Sequence, residues 1–399
     1  MPAVALKIQR RRSPRSGINE IGINKAVQRA GPCDSIVALQ EAFLFEGHVC
    51  MAYEKHGRSL DDEICERCLT PARALAVTRQ ILDALARLHA AGFTHTDLKP
   101  ANILYDRRTG VAKLADLGNA DSELIQGTSL CTREYTPPEV LLGAPLSPAI
   151  DHWALGCVVF EMLAGETLFD PRTMAAAKYK EFYFEEERSS GWSEPKPEAV
   201  AADRAEEAAE QYAPGAIIAG KYRLTEELGQ GRFGTVWSAE TIAGHPLDGS
   251  YETLSQHCRD HEKSRGSRTE AERSARTWKK QKGANDMRDL ALNYEHLLLI
   301  DRLCGPIPPA LILTGKFRNS FFTSEGAFRH PDPGDPMTIA GHLATHAPRL
   351  KPADISRFSH LISILCHLDP SRRTAIDPAL LRDKPPATIA RTRRIGVTS

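Results

Sequence analysis

Neither charge is in excess in this chain. Its 399 residues hold 51 lysines and arginines against 51 aspartates and glutamates, so no whole-molecule field draws it to nucleic acid or to an anionic membrane. Long apolar runs are missing too. The longest, WALGCVVFEMLAG from Trp153, contains Glu161, falls short of the roughly 20 residues that cross a bilayer, and reads as a buried helix. Nor is there a paired-cysteine framework: nine scattered cysteines, an odd count, point to a reducing compartment, cytoplasmic or nuclear. The CxxC of Cys65 and Cys68 lacks the second pair or the histidines that would hold zinc. At the start, MPAVALKIQRRRSPR places its apolar part before its charges, the reverse of a secretory signal. RRRSPRS (10–16) and the terminal RTRRIGVTS read as solvated basic stretches, and no internal repeat is visible.

What is present is patterned. At 42% hydrophobic the chain can bury one large two-lobed core or two ordinary domains. AVALKI (3–8) alternates as a strand, and SIVALQEAFLFEGHVCMAYE (35–54) reads as a hairpin turning at Glu46-Gly47. GINEIGINKAVQ, between them, has helical spacing. From Pro71 to Ala91, Ala74, Val77, Ile81, Leu85 and Leu88 share one helical face, and Gly92 ends it. The acidic, alanine-rich stretch 171–211 and the charged stretch 241–286 read as linkers on either side of a strand pair, KYRLTEELGQGRFGTVWSAE (221–240). Helical patterns resume from Leu290 to Asp383.

The chemistry sits in HTDLKPANIL (95–104), directly after the long helix. Asp97 can orient a substrate hydroxyl, Lys99 can offset charge on a moving phosphoryl group, and the amide oxygen of Asn102 can reach a metal ion. Asp116 in ADLGNA adds a hard carboxylate suited to Mg2+. Lys7 ends an apolar strand where an ammonium can meet phosphates, and Glu20 on the next helix can hold it by an ion pair; for VALK alone, a surface lysine on an edge strand is the plainer reading.

On these motifs the chain resembles a eukaryotic-type protein kinase. The resemblance continues through TREYTPPEVLLG, where Glu139 matches the glutamate closing the activation segment. It extends to DHWALGCVVFEMLAGETLF, where Asp151 matches the aspartate bracing the catalytic loop, and to DPSRRTA, where Arg373 matches the partner of that glutamate. Thr96 in place of arginine and DLGNA in place of DFG resemble the SR-protein kinases and their LAMMER neighbours in the CMGC group, and the stretch 295–330 resembles the SR-protein kinases more closely still. That family implies an α+β, bilobal fold and transfer of the ATP γ-phosphate to serine or threonine of a protein, with Mg2+ held by Asn102 and Asp116. It implies a basic or arginine/serine-rich substrate, no direct nucleic-acid partner, no membrane, and a monomer. It also makes Tyr53 the gatekeeper, with the Glu54 carbonyl and the His56 amide facing adenine. Ala5, Lys7 and Val236 then line the nucleotide site. Two departures stand out: Thr136 replaces the arginine usual after the activation-segment tyrosine, and Arg302 stands where an acidic docking residue would partner Glu295.

The order of the blocks is unusual. Gly229, Gly231 and Gly234 form a G-x-G-x-x-G loop that resembles the start of such a domain, yet it lies after the catalytic loop. The expected organisation is a small lobe over 1–56, the first part of a large lobe over 57–170 and a linker over 171–211. The displaced hairpin (212–240), a second linker (241–286), the rest of the large lobe (287–390) and a tail (391–399) follow. Tethers of these lengths have a root-mean-square span of roughly 40 Å, enough to bring the hairpin back beside the Lys7 strand. The extra closure costs about 2 kcal/mol. The alternative is a catalytically impaired scaffold with a compromised small lobe.

Overall fold

The computed structural model describes residues 3–11, 14–31, 33–122, 124, 131–170, 212–230, 234–242, 254, 256, 292–331, 337–374 and 376–382. The expected linker 171–211, nearly all of 241–286, the tail 391–399 and Gly231 lie outside them.

The chain begins with strand β1 (Ala3–Gln9), helix α1 (Pro14–Arg29), and strands β2 (Leu39–Phe45) and β3 (His48–Glu54). Glu46 and Gly47 join the last two with φ of 48° and 82°, the paired positive values that a tight hairpin requires. Two further strands appear only after residue 217: β8 (Tyr222–Gln230) and β9 (Gly234–Thr241), preceded by the two-residue β7 (Ile217–Ile218). All belong to one six-stranded sheet in the order β2-β3-β1-β9-β8-β7. Strand β1 is therefore central, not the edge strand that VALK alone suggests. It pairs antiparallel with β3 on one side (Lys7 opposite Met51) and with β9 on the other (Lys7 opposite Val236).

Period-two alternation explains why the late strands belong there. Val4, Leu6 and Ile8 point to one face of β1, where they meet Phe43, Cys50 and Ala52 from the first hairpin and Ile218, Tyr222, Leu224, Trp237 and Ala239 from the late one. Nearly half of this core is thus supplied by residues more than two hundred positions downstream. The sheet curls until its ends meet: the ring of Tyr222 stacks on Phe43 (5.7 Å between centroids), and Lys221 Nζ and the Tyr222 hydroxyl both bond the Glu41 carboxylate of β2, at 2.8 and 2.6 Å. A second cluster, under α1, joins Ile18, Ile21, Ala42, Val49 and Met51 with Leu254, which is fully buried. A single apolar residue in a charged stretch leaves no periodic trace, so nothing in the pattern of 241–286 anticipates that contact.

The larger lobe is helical. It contains α2 (Leu60–Glu66), α3 (Pro71–Ala90), α4 (Pro138–Leu142) and α5 (Ala149–Ala164), with a small sheet of β4 (Arg58–Ser59), β5 (Ile103–Asp106) and β6 (Val111–Leu114). Helical segments over 292–304, Ile339–His346 and Pro352–Leu365 complete it. The expected face of α3 is buried at Ala74, Val77, Ile81, Leu85 and Leu88, and Gly92 (φ 87°) turns the chain out of it. Helix α5 is buried almost all round, as a helix apolar on every side must be. The fold is α+β and bilobal, as expected.

Two of the buried acids in this lobe, Glu139 and Glu161, differ in how they are compensated. Glu139, at the start of α4, accepts from the two terminal guanidinium nitrogens of Arg373 at 2.5 and 2.9 Å, and Arg373 lies 5.0 Å above the Trp153 ring. Among the described residues, the side chain of Glu161 on α5 is bonded by the Tyr135 hydroxyl alone, at 2.6 Å. Burial, aided by the charges of Asp61 and Glu134, pushes the Glu161 carboxyl up to about 7, against the Tyr135 hydrogen bond, which lowers it. Because its folded pKa lies above the unfolded value, the group favours the fold at low pH, and that contribution is lost as pH rises through 7. Glu161→Gln is expected to raise unfolding stability at pH 8 by about 3 kcal/mol, with the gain shrinking to ~1 kcal/mol by pH 5. Denaturant unfolding at the two pH values checks this.

Candidate active site

The cleft between the lobes is floored by one lysine and two carboxylates from distant parts of the chain. The alternation that sends Leu6 and Ile8 inward sends Lys7 to the cleft face. Its ammonium lies 2.7 and 2.9 Å from the two oxygens of Glu20 on α1, and 2.7 Å from Asp116 Oδ1. Burial alone would lower the Lys7 pKa, but the facing carboxylates outweigh it and hold the ammonium above its ordinary range. Burial likewise works to raise Asp116, and the charge and hydrogen bond of Lys7 overcome it, leaving that carboxyl below its usual value. Glu20 is the most enclosed of the three, with a side chain 1% exposed, and desolvation pushes it up against the pull of Lys7. Asp116 sits in the left-handed region (φ 57°) and accepts a bond from the Gly118 amide at 3.3 Å. Its side chain remains 37% exposed to the cleft.

A second cluster is built on the loop after α3. Asp151 of α5 accepts the backbone amides of His95 and Thr96 at 2.8 and 2.9 Å and lies 2.7 Å from the His89 ring nitrogen. That carboxylate holds Thr96 at φ 68°, a conformation a β-branched residue avoids unless its surroundings impose it. The Thr96 hydroxyl donates to the Asn119 carbonyl at 2.9 Å, tying the loop to the segment after Asp116. The turn presents Asp97, whose Oδ2 accepts from Lys99 Nζ at 2.9 Å and whose Oδ1 accepts from the Thr132 hydroxyl at 2.6 Å. Lys99 Nζ also reaches Thr132 Oγ1 at 2.9 Å. The amide nitrogen of Asn102 donates to the Asp97 carbonyl at 2.8 Å, which leaves its oxygen as the acceptor. Thr132 and Asn119 are absent from the sequence expectations, because neither lies in a recognisable spacing with Asp97.

The late hairpin forms the roof. Val236 lies opposite Lys7, and Ser238 opposite Ala5, on the cleft face of the sheet. The ammonium of Lys55, just beyond β3, donates to the Ser238 hydroxyl of β9 at 2.7 Å and ties the late hairpin to the end of the first. The glycines are not equivalent. Around Gly229 a side-chain carbon would meet nothing within 4 Å, whereas at Gly234 it would lie 2.2 Å from the Ile8 carbonyl oxygen. Gly234 is thus required by the close approach of β9 to β1. Tyr53 is half-buried at the end of β3, with its hydroxyl 2.7 Å from Glu20 Oε1. The Glu54 carboxylate accepts from Lys113 at 2.7 Å and from the Ala38 amide at 2.9 Å. His56 is half-buried, with a ring nitrogen 3.2 Å from the Val111 carbonyl oxygen.

The Asp116 carboxylate and the Asn102 amide oxygen are hard oxygen donors of the kind Mg2+ takes, and Asp116 lies beside a lysine that a second carboxylate holds. The model for the protein kinase domain matches residues 3–207, just over half of the chain. The chain belongs to that family. It is similar to serine/threonine-protein kinase prp4 of Schizosaccharomyces pombe, 31% identical over 167 residues, covering 40% of this chain and 35% of that protein. The probable serine/threonine-protein kinase clkA of Dictyostelium discoideum is 27% identical over 211 residues, 42% of this chain and 22% of that one. Homeodomain-interacting protein kinase 2 of Mus musculus is 32% identical over 177 residues, 42% and 15% respectively. The matched region thus spans about a third or less of the length of these relatives. No helix among the described residues is long and apolar enough to cross a membrane.

Proposed function

We propose that the chain is an ATP-dependent protein serine/threonine kinase whose nucleotide site is completed by the displaced hairpin. The observation that carries this reading is Lys7 held between Glu20 and Asp116, an arrangement a scaffold has no need to keep. Lys7, oriented by Glu20, positions the α- and β-phosphates of ATP. Asp116 and the amide oxygen of Asn102 hold Mg2+, which when bound neutralises phosphate charge. Gly229, Gly231 and Gly234 cover the phosphates, and Ala5 and Val236 enclose the adenine, whose edge meets the Glu54 carbonyl and the His56 amide beside Tyr53. Asp97 takes the proton of the substrate hydroxyl as its oxygen bonds the γ-phosphorus, the bond to the β-phosphate oxygen breaks, and ADP leaves; Lys99 offsets the charge on the moving group. Rate acceleration comes from positioning and electrostatics rather than covalent chemistry.

The substrate class follows the SR-protein kinase resemblance, a basic or arginine/serine-rich protein, with Glu295 as the retained acidic contact. Thr136 and Arg302 depart from that pattern, so selectivity for arginine-rich sequences is weaker than the resemblance alone implies. The reading is tested by incubating the protein with Mg-ATP and either an arginine/serine peptide or a generic basic protein. Phosphoserine or phosphothreonine on either supports a kinase, and preference for the former supports the substrate class. Raised thermal stability with Mg-ATP but no transfer to any protein would favour a scaffold.

A further inference from the structure

Tyr53 occupies the position where the resemblance calls only for a side chain walling the adenine pocket. The structure gives its hydroxyl a different partner. It donates to Glu20 Oε1 at 2.7 Å, on a carboxylate that also receives Lys7 at both oxygens and the Gln9 amide nitrogen at 3.4 Å. The direction of that bond is set from the other side. Asn24, one turn along α1 and 3% exposed, donates its amide to the Glu20 carbonyl at 2.8 Å and to the Tyr53 oxygen at 3.4 Å. With its oxygen accepting from Asn24, Tyr53 turns its proton onto Glu20.

The arrangement answers a charge problem. Glu20 is almost wholly removed from water, and Lys7, the one cation bridged to it among the described residues, is divided between Glu20 and Asp116. A buried carboxylate with a half-share of a cation needs further donors to remain charged and fixed in direction. Burial and the neighbouring Glu20 charge keep the phenol protonated, raising its pKa well above the usual value, so the donor is always present.

We propose that Tyr53 is a positioning residue. Its hydroxyl, together with the Asn24 amide, holds the Glu20 carboxylate toward Lys7 and so keeps helix α1 docked for catalysis. This rests on the kinase reading above for its effect on rate, but the hydrogen bond itself does not. Tyr53→Phe keeps the ring and removes one oxygen. The expected result is a five- to twenty-fold fall in kcat, an affinity for adenosine (which carries no phosphate) within twofold of wild type, and no further loss when the change is added to Glu20→Gln. An unchanged kcat, adenosine binding weakened in step with kcat, or additive losses in the double variant would overturn it. The same four proteins are unfolded in denaturant. Non-additive stability losses support the Tyr53–Glu20 bond, and additive losses overturn it, even if the wild-type protein transfers no phosphate and only the kinase reading fails.

Discussion

Replacing Asp97 with asparagine is expected to lower phosphoryl transfer about a thousandfold while Mg-ATP binding stays within a few-fold of wild type. A positioned general base contributes roughly 10²- to 10⁴-fold. The amide keeps the shape of the carboxylate and can still accept from Thr132 but takes no proton. The loss therefore belongs to kcat, not to nucleotide affinity. Stability should barely change, because the loop is held chiefly from behind, by Asp151 on the His95 and Thr96 amides. Steady-state kinetics with varied ATP, beside a thermal shift with Mg-ATP, separates the two quantities. Turnover above a third of wild type would remove Asp97 from the proposed role.

The second large effect concerns the hairpin, and two glycines provide a matched pair. Gly234→Ala places a methyl carbon 2.2 Å from the Ile8 carbonyl oxygen and 2.9 Å from Gln9 Cα. Both are backbone atoms of the central strand, so no rotamer relieves the clash and β9 must lift from β1. The cost is expected to be about 2–3 kcal/mol, with ATP binding weakened at least tenfold because Val236 and Ser238 move with the strand. Gly229→Ala is the same chemical change in open space and should leave unfolding stability within ~0.5 kcal/mol of wild type. Denaturant unfolding and ATP titration of both variants distinguish a docked hairpin from a dangling one. Equal stability for the two would mean that β9 does not lie on β1.

The gap between sequence and structure follows the same lines. The HTDLKPANIL loop, α3 and the first hairpin are legible because their signals are local: spacing along one helix face, a turn that needs positive φ, a motif within ten residues. The return of β8 and β9 to β1 is legible only as a possibility of reach. Complementary alternation, with Trp237 and Ala239 facing Leu6 and Val4, is what makes it favourable, and alternation does not say which strand it fits. Thr132 at Asp97, Leu254 under α1 and the Tyr53 hydroxyl on Glu20 depend on contacts between segments far apart, which leave no periodic trace. Gly234 shows a subtler loss. Its motif suggests a phosphate cradle, whereas its demand for glycine comes from the strand beside it.

The small lobe is assembled from segments that are not consecutive in the chain. Amide hydrogen exchange across β9 tests it most directly, because each backbone group paired with β1 exchanges only when that ladder opens. Residues Thr235 to Ala239 should exchange as slowly as β1 and β3, within about tenfold, and slow further with Mg-ATP. Exchange over that stretch at the rate of an unstructured peptide, with β1 and β3 still protected, would contradict it.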